Sequence, residues 1–280
     1  MQSTRYTVLI QLLLAGAVSQ AQILQLPPRA ENAPAGSAFA ASVSSLPREA
    51  REEQVYLQIR SGNLPHFIRK LVAVTVHDTG HTLTYYVLPE YLAIGSDDDY
   101  LLMPMSPLLA QRIADTLDCI LPTRKMVDDI YRNATVKLAP KPIPPSPAMI
   151  TMPVFLRHND SVWQQRAALL HRHGLGSLVA GDKKDVIIST SIYDRLKPTV
   201  SRPVVIYGWH QLDGIPIQPL YNGHEETYAD YSHGIRLIQK TATLDGRPVA
   251  LTELLKDSAH CALVSDEGVL ALPRYGAAGR

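Results

Sequence analysis

The 280-residue chain predicts an α+β fold, with helices in the N-terminal half and a mostly antiparallel sheet in the C-terminal half. Three observations lead there. Apolar residues at helical spacing fall mainly before residue 174. Short β-branched runs bounded by turn residues dominate after residue 177. The 21 prolines imply long ordered loops rather than a helix bundle. A hydrophobic content of 46% is ordinary for a globular fold.

The first 22 residues read as an export signal. Arg5 supplies a short basic region, Val8 to Val18 an apolar stretch, and Ser19-Gln20-Ala21 a small-residue cleavage site, so residues 1–21 are expected to be removed. The apolar run is about half of the roughly 20 residues that span a bilayer, and no later stretch is long and apolar enough to span. Roughly 255 residues remain for the fold. A secreted or periplasmic protein is expected. Residues 22–45 are rich in Ala, Ser and Pro and read as a flexible leader. Residues 46–280 are expected to form a single α+β domain.

Pro47 to Ser61 has apolar residues at Val55, Leu57 and Ile59 and reads as a helix. Leu71 to Val76 and His81 to Leu88 are β-branched runs joined by Asp78-Thr79-Gly80, which predicts a hairpin. Asp97, Asp98 and Asp99 lack the ligand pattern of a calcium loop and read as a solvated turn. Ser106-Pro107 caps a helix carrying Leu109, Ile113 and Leu117. A second helix starts near Pro122-Thr123, with Met126, Val127, Ile130 and Tyr131 on one face. Its basic opening, Arg124-Lys125, opposes the helix dipole and implies an acidic partner. Ala139 to Pro153 reads as an irregular strap, and Asp160 to His173 as a helix stopped by Gly174.

Five strands are then expected: 178–180, 186–191, 203–208, 215–220 and 233–238. Gly181-Asp182-Lys183-Lys184-Asp185 reads as a solvated hairpin turn. A helix over 251–257 and a final strand near 261–264 complete the chain. Basic and acidic residues number 27 and 26, which argues against a nucleic-acid partner. A monomer is expected. The two cysteines, Cys119 and Cys261, would pair in an oxidising compartment.

The densest group of proton-carrying side chains lies between Tyr207 and Arg236. It contains His210, His224, Asp230, Tyr231 and His233 beside Trp209. Histidine moves protons near neutral pH, and strands on both sides would hold such groups rigidly. His210, His224, His233 and Asp230 also have the residue types of zinc ligands, but no short-spaced pair such as HExxH occurs. No cofactor is therefore expected, with zinc as the alternative. The Gly-x-Ser-x-Gly elbow of α/β-hydrolases is absent.

Ser232-His233-Gly234-Ile235-Arg236-Leu237 resembles the SHGCIRL motif of the L,D-transpeptidases of peptidoglycan, with His210 in the place of that family's first histidine. The resemblance covers about 30 residues and departs at the decisive point: Ile235 follows the His-Gly pair where the family has its nucleophilic cysteine. Asp118-Cys119 is similar to the start of the nucleophile helix in NlpC-type, papain-like wall peptidases, a resemblance that implies a Cys119–His233 dyad. Pro122 delays the helix here. These readings converge on an exported hydrolase of cell-envelope peptide or glycan, with His233, His210, Asp230 and Cys119 as catalytic candidates. Trp209, Tyr231, His224 and Arg236 are the candidates for substrate contact. The alternative is a non-catalytic extracellular binding protein with a ligand site lined by His, Tyr and Trp, in which Trp209, Tyr221, Tyr228 and Tyr231 form the platform.

Overall fold

The computed structural model describes residues 22–78, 80–193 and 202–276. The expected signal at 1–21 lies outside them. The fold is α+β, with helices mainly in the N-terminal half and sheet mainly in the C-terminal half. The first elements are helices α1 (Gly36–Val43), α2 (Arg48–Arg60) and α3 (His66–Arg69). Strands β1 (Val72–Asp78) and β2 (His81–Val87) form the antiparallel hairpin, pairing Val72 with Val87 through Asp78 with His81. Strands β3 (Ala93–Gly95) and β4 (Tyr100–Leu102) follow. Helix α4 (Pro107–Thr116), strand β5 (Cys119–Ile120), helix α5 (Arg124–Asn133) and strand β6 (Val136–Lys137) complete the first half.

The caps account for where these helices begin. Ser106 Oγ accepts the Leu109 N–H at 3.3 Å, and Thr123 Oγ1 accepts that of Met126 at 3.2 Å. The basic start of α5 has its acidic partners within the chain. Arg124 pairs with Asp266 at 2.8 Å and Lys125 with Asp129 at 3.2 Å.

The second half contains helix α6 (Met152–Ala167), strands β7 (Val179–Ala180), β8 (Lys184–Val186), β9 (Pro203–His210), β10 (Pro216–Glu225), β11 (His233–Gly234), β12 (Ile238–Gln239), β13 (Thr241–Leu244) and β14 (Arg247–Ala250), and helix α7 (Leu251–Leu254). Two sheets dominate. In the six-stranded sheet, β2 carries β1 along one edge and β13 and β12 along the other, with β14 beyond β13 and β5 beyond β12. The four-stranded sheet runs β10-β9-β8-β11. Residues 233–239 join the two, because β11 belongs to one sheet and β12 to the other. Between them Leu92 N–H donates to the Ile235 carbonyl at 2.8 Å and Leu88 N–H to the Leu237 carbonyl at 3.0 Å.

Several expectations are corrected. Residues 22–45 are not a loose leader. Phe39 and Val43, four apart on α1, are buried, and so is Leu24. Asp99 anchors that helix by accepting the Ser37 N–H at 3.0 Å and its hydroxyl at 2.5 Å, so the aspartate loop is structural. Helix α6 starts eight residues before Asp160, at Met152, because Pro153 falls in the first turn where no N–H is required. Cys261–Leu263 is a short 3-10 turn rather than a strand.

The expected disulfide is absent: both cysteines are free and buried. Cys119 pairs with Gln239, and its neighbour Ile120 with Ile238, which in turn pairs with Val87 at the end of β2. Cys261 follows His260, whose ring packs on His81 at the start of β2. The two residues thus approach that strand at opposite ends. No helix among the described residues is long and apolar enough to cross a membrane.

Candidate functional site

The structure divides the expected His-centred site into two places. His210 ends β9 and turns toward α5. Two consecutive left-handed residues, Gly208 at φ 104° and Trp209 at φ 56°, create that turn. A Cβ on Gly208 would lie 3.3 Å from Val127 Cγ1 and 3.4 Å from the His210 ring, so glycine also permits the close approach of strand to helix. The Trp209 indole N–H is tied to the Asp182 carbonyl at 2.9 Å.

His210 is 4% exposed, with its ring at the cavity wall; its Nε2 lies 3.0 Å from Asp128 Oδ1, and the Tyr207 hydroxyl donates to the same oxygen at 3.0 Å. The Tyr131 ring stacks on the imidazole at 4.5 Å, while its hydroxyl donates to the Gln211 carbonyl. These groups line an open cavity of about 360 Å³, whose rim includes Lys137 and Asp213. The volume is within the range of small-ligand sites. The Tyr207 hydroxyl titrates above its ordinary range, first because it is buried and then because Asp128 faces it. Asp128 carried no distinctive signal in the sequence. It lies on the polar flank of an amphipathic helix, where a carboxylate is unremarkable.

His233 occupies a different environment. It is fully buried, and neither ring nitrogen has a hydrogen-bond partner. Burial pushes its pKa down to about 4, against the opposing pull of Asp230. Asp230 accepts the Ser232 N–H at 2.8 Å and hydroxyl at 2.6 Å, and the Tyr228 hydroxyl at 3.1 Å, which fixes the turn into β11. Burial raises the Asp230 pKa, but His233, the Ser232 donors and Lys184 outweigh it, so the net shift is downward. In front of His233, the Tyr228 ring stands edge-on at 5.8 Å and stacks on His224 at 4.0 Å. His224 and Tyr228 line a groove of about 450 Å³ together with Arg48, Arg51 and Ile150.

Cys119 joins neither place. Burial pushes its thiol up to about 12, and the sulfhydryl donates to the Leu117 carbonyl at 3.3 Å. A buried, protonated thiol is a poor nucleophile. Trp209, Tyr231 and Arg236, expected to meet substrate, are enclosed at 5%, 2% and 0% exposure. Of the four substrate-contact candidates, His224 lines a groove. Among the described residues no group of three or more His, Cys, Asp or Glu side chains is placed to hold a metal ion.

Sequence reading missed a buried ionic cluster next to both places. Asp182 and Lys183, expected in a solvated turn, are buried because β7 and β8 belong to different sheets and the crossing runs through the interior. Lys183 Nζ donates to the Tyr231 carbonyl at 2.7 Å and sits 3.4 Å from His158 Nδ1. Burial lowers the Lys183 pKa to about 8 and pushes Asp185 up to about 6. Glu90 is also raised, first by burial and then by Asp182.

Arg236 holds the centre of this cluster. Its guanidinium lies 4.0 Å over the Tyr91 ring and donates to the Leu88 and Val179 carbonyls at 3.1 and 2.9 Å. Gly234 completes the packing, since a Cβ there would lie 2.5 Å from Tyr91 Cδ1 and 3.0 Å from Lys183 Cβ. Tyr91 is pinned by its hydroxyl to Asp185 at 2.8 Å and has little room to retreat. Gly234→Ala is therefore expected to destabilise the fold by about 1–3 kcal/mol. Urea unfolding measures this, and an unchanged midpoint would mean that Tyr91 gives way.

No protein-family model, curated protein or solved structure matches the chain.

Proposed function

We propose that the chain is an exported hydrolase of cell-envelope peptide or glycan, with His210 as its working base. The observation that carries this reading is the 3.0 Å contact between His210 Nε2 and Asp128 at the wall of an open, polar cavity. With the Nε2 proton held by Asp128, the lone pair falls on Nδ1, the nitrogen on the side of Gly208, which would take the proton of an attacking water. Tyr207 and Tyr131 fix the carboxylate and the ring, so the pair is preorganised. Asp128 orients the imidazole.

The test is fragment release from envelope peptides and glycans, followed by mass spectrometry. His210→Ala should lower the rate by about 10³-fold and Asp128→Asn by about 10²-fold, measured at a temperature where each variant remains folded. Cys119→Ser should have no effect on turnover. Full activity in His210→Ala would remove the proposal.

One observation favours a binding protein instead. The stacked His224–Tyr228 pair beside Arg48 and Arg51 forms a platform for a ring bearing an acidic group. Retention of such a ligand without turnover, lost in Tyr228→Ala, would support that reading.

A further inference from the structure

Among the described residues, half of the exposed large hydrophobic side chains lie on two neighbouring segments. Leu212, Ile215, Ile217 and Tyr221, at 64%, 59%, 40% and 43% exposure, follow the β9–β10 turn and strand β10. Ile150, at 45%, ends the strap that begins at Ala139. The strap also exposes Pro142, Pro144, Pro145 and Pro147. The segments are adjacent at both ends. Pro140 and Pro142 share a cavity of about 460 Å³ with Leu212 and Ile217, and Ile150 shares the other groove with Gly223 and His224. Strand β10 alone runs for about 30 Å at the usual rise per residue.

This band carries little charge. Residues 214–224 include no Asp, Glu, Lys or Arg, the exposed Glu225 closes the strand, and residues 138–150 include Lys141 alone. A water-facing edge strand ordinarily carries charged side chains, and an uncharged apolar band of this length marks an interaction surface.

The partner's chemistry follows from three features. First, β10 is a sheet edge, but Pro216 and Pro219 have no N–H to offer, and the pairing with β9 shifts register on both sides of Tyr221. An added peptide strand, or the same edge of a second copy, finds no continuous ladder there. Second, Leu212 and Ile215 sit on the tip of a hairpin, each more than half exposed. Third, the band is flanked by cations. Lys137 lies over the Tyr131 ring at 4.6 Å with no carboxylate partner, and Lys141 is exposed. Asp213, the acidic residue of the tip, folds back to accept the Ile215 N–H at 3.0 Å.

The geometry points to a face that docks on an anionic lipid surface, with Leu212 and Ile215 entering the interface and Lys137 and Lys141 meeting the headgroups. Buried apolar area and headgroup attraction act together at such a surface. The His210 cavity, which Leu212 also lines, would then open beside the bilayer. The inference does not rest on the hydrolase reading, because docking is measured without turnover.

The experiment is co-sedimentation of the purified chain with vesicles of phosphatidylcholine containing about 30% phosphatidylglycerol. The bound fraction should fall about tenfold on neutral phosphatidylcholine vesicles, and likewise in about 0.5 M salt. Leu212→Asp with Ile215→Asp should abolish binding at an unchanged melting temperature, since both side chains are exposed. Lys137→Glu with Lys141→Glu should remove the preference for the anionic lipid. Failure to sediment with anionic vesicles would overturn the inference, as would wild-type binding by the double aspartate variant. Dimerisation without vesicles, abolished by the same aspartates, would assign the face to a second copy and overturn it equally.

Discussion

Arg236→Ala is expected to lower the free energy of unfolding by about 3–5 kcal/mol. The guanidinium is fully buried and holds two backbone carbonyls, those of Leu88 and Val179, which come from different parts of the fold. It is also the cation facing Asp185, Glu90 and Asp182. Truncation leaves the two carbonyls without this donor and removes the guanidinium from the buried carboxyls, with Lys183 still facing Asp182 and Arg166 still facing Glu90. Both effects act in the same direction, and the cavity left over Tyr91 adds to them. Arg236→Lys should recover less than half of the loss, because a single ammonium cannot repeat the planar fork that reaches both carbonyls. Urea unfolding of the three proteins decides the matter. A loss below about 1 kcal/mol in the alanine variant would show that the cluster is held together by its other members.

His233→Phe should flatten the acid dependence of stability. The ring is buried without a partner for either nitrogen, and its pKa falls from 6.5 to about 4. A group depressed on folding contributes stability that is complete above pH 6.5 and is lost as the pH falls through about 4. By pH 5 the wild type should have lost about 2 kcal/mol through this residue. Phenylalanine has similar volume and does not titrate. The difference in stability between variant and wild type should therefore shift by about 2 kcal/mol, in favour of the variant, between pH 7.5 and pH 5. Lys184, His224 and Lys183 face the ring in both proteins and cancel from the difference, while Asp230, whose carboxyl His233 helps hold down, contributes to the measured shift. Parallel pH profiles would mean that the imidazole finds a proton acceptor or a water on protonation.

The elements that the sequence predicted well are those with local signals. The 72–87 hairpin, the Ser106 and Thr123 caps and the apolar face of α5 each need only a few neighbouring residues to be recognised. The β13–β14 hairpin carries such a signal as well, Asp245-Gly246 between short runs. What could not be read was placement. Asp182 and Lys183 have the composition of a surface turn, and only the crossing between two sheets puts them inside. His210 and His233 are neighbours in sequence terms, yet the left-handed pair at Gly208 and Trp209 turns one toward α5 while the other sits behind Tyr228. Asp128, 82 residues from His210, is joined to it by tertiary packing alone. A count of proton carriers along the chain finds the region of a site but not its members.

Residues 233–239 pair with both sheets within seven positions. That short stretch makes the two sheets one cooperative unit in exchange and in evolution. Peeling β11 from the four-stranded sheet pulls on β12, and with it on the hydrogen bonds to Leu88 and Leu92. Neither sheet can be excised, swapped or circularly opened at this seam without leaving the other with an unpaired edge. Insertions and new termini therefore belong elsewhere, and a change confined to this stretch propagates to both halves of the molecule.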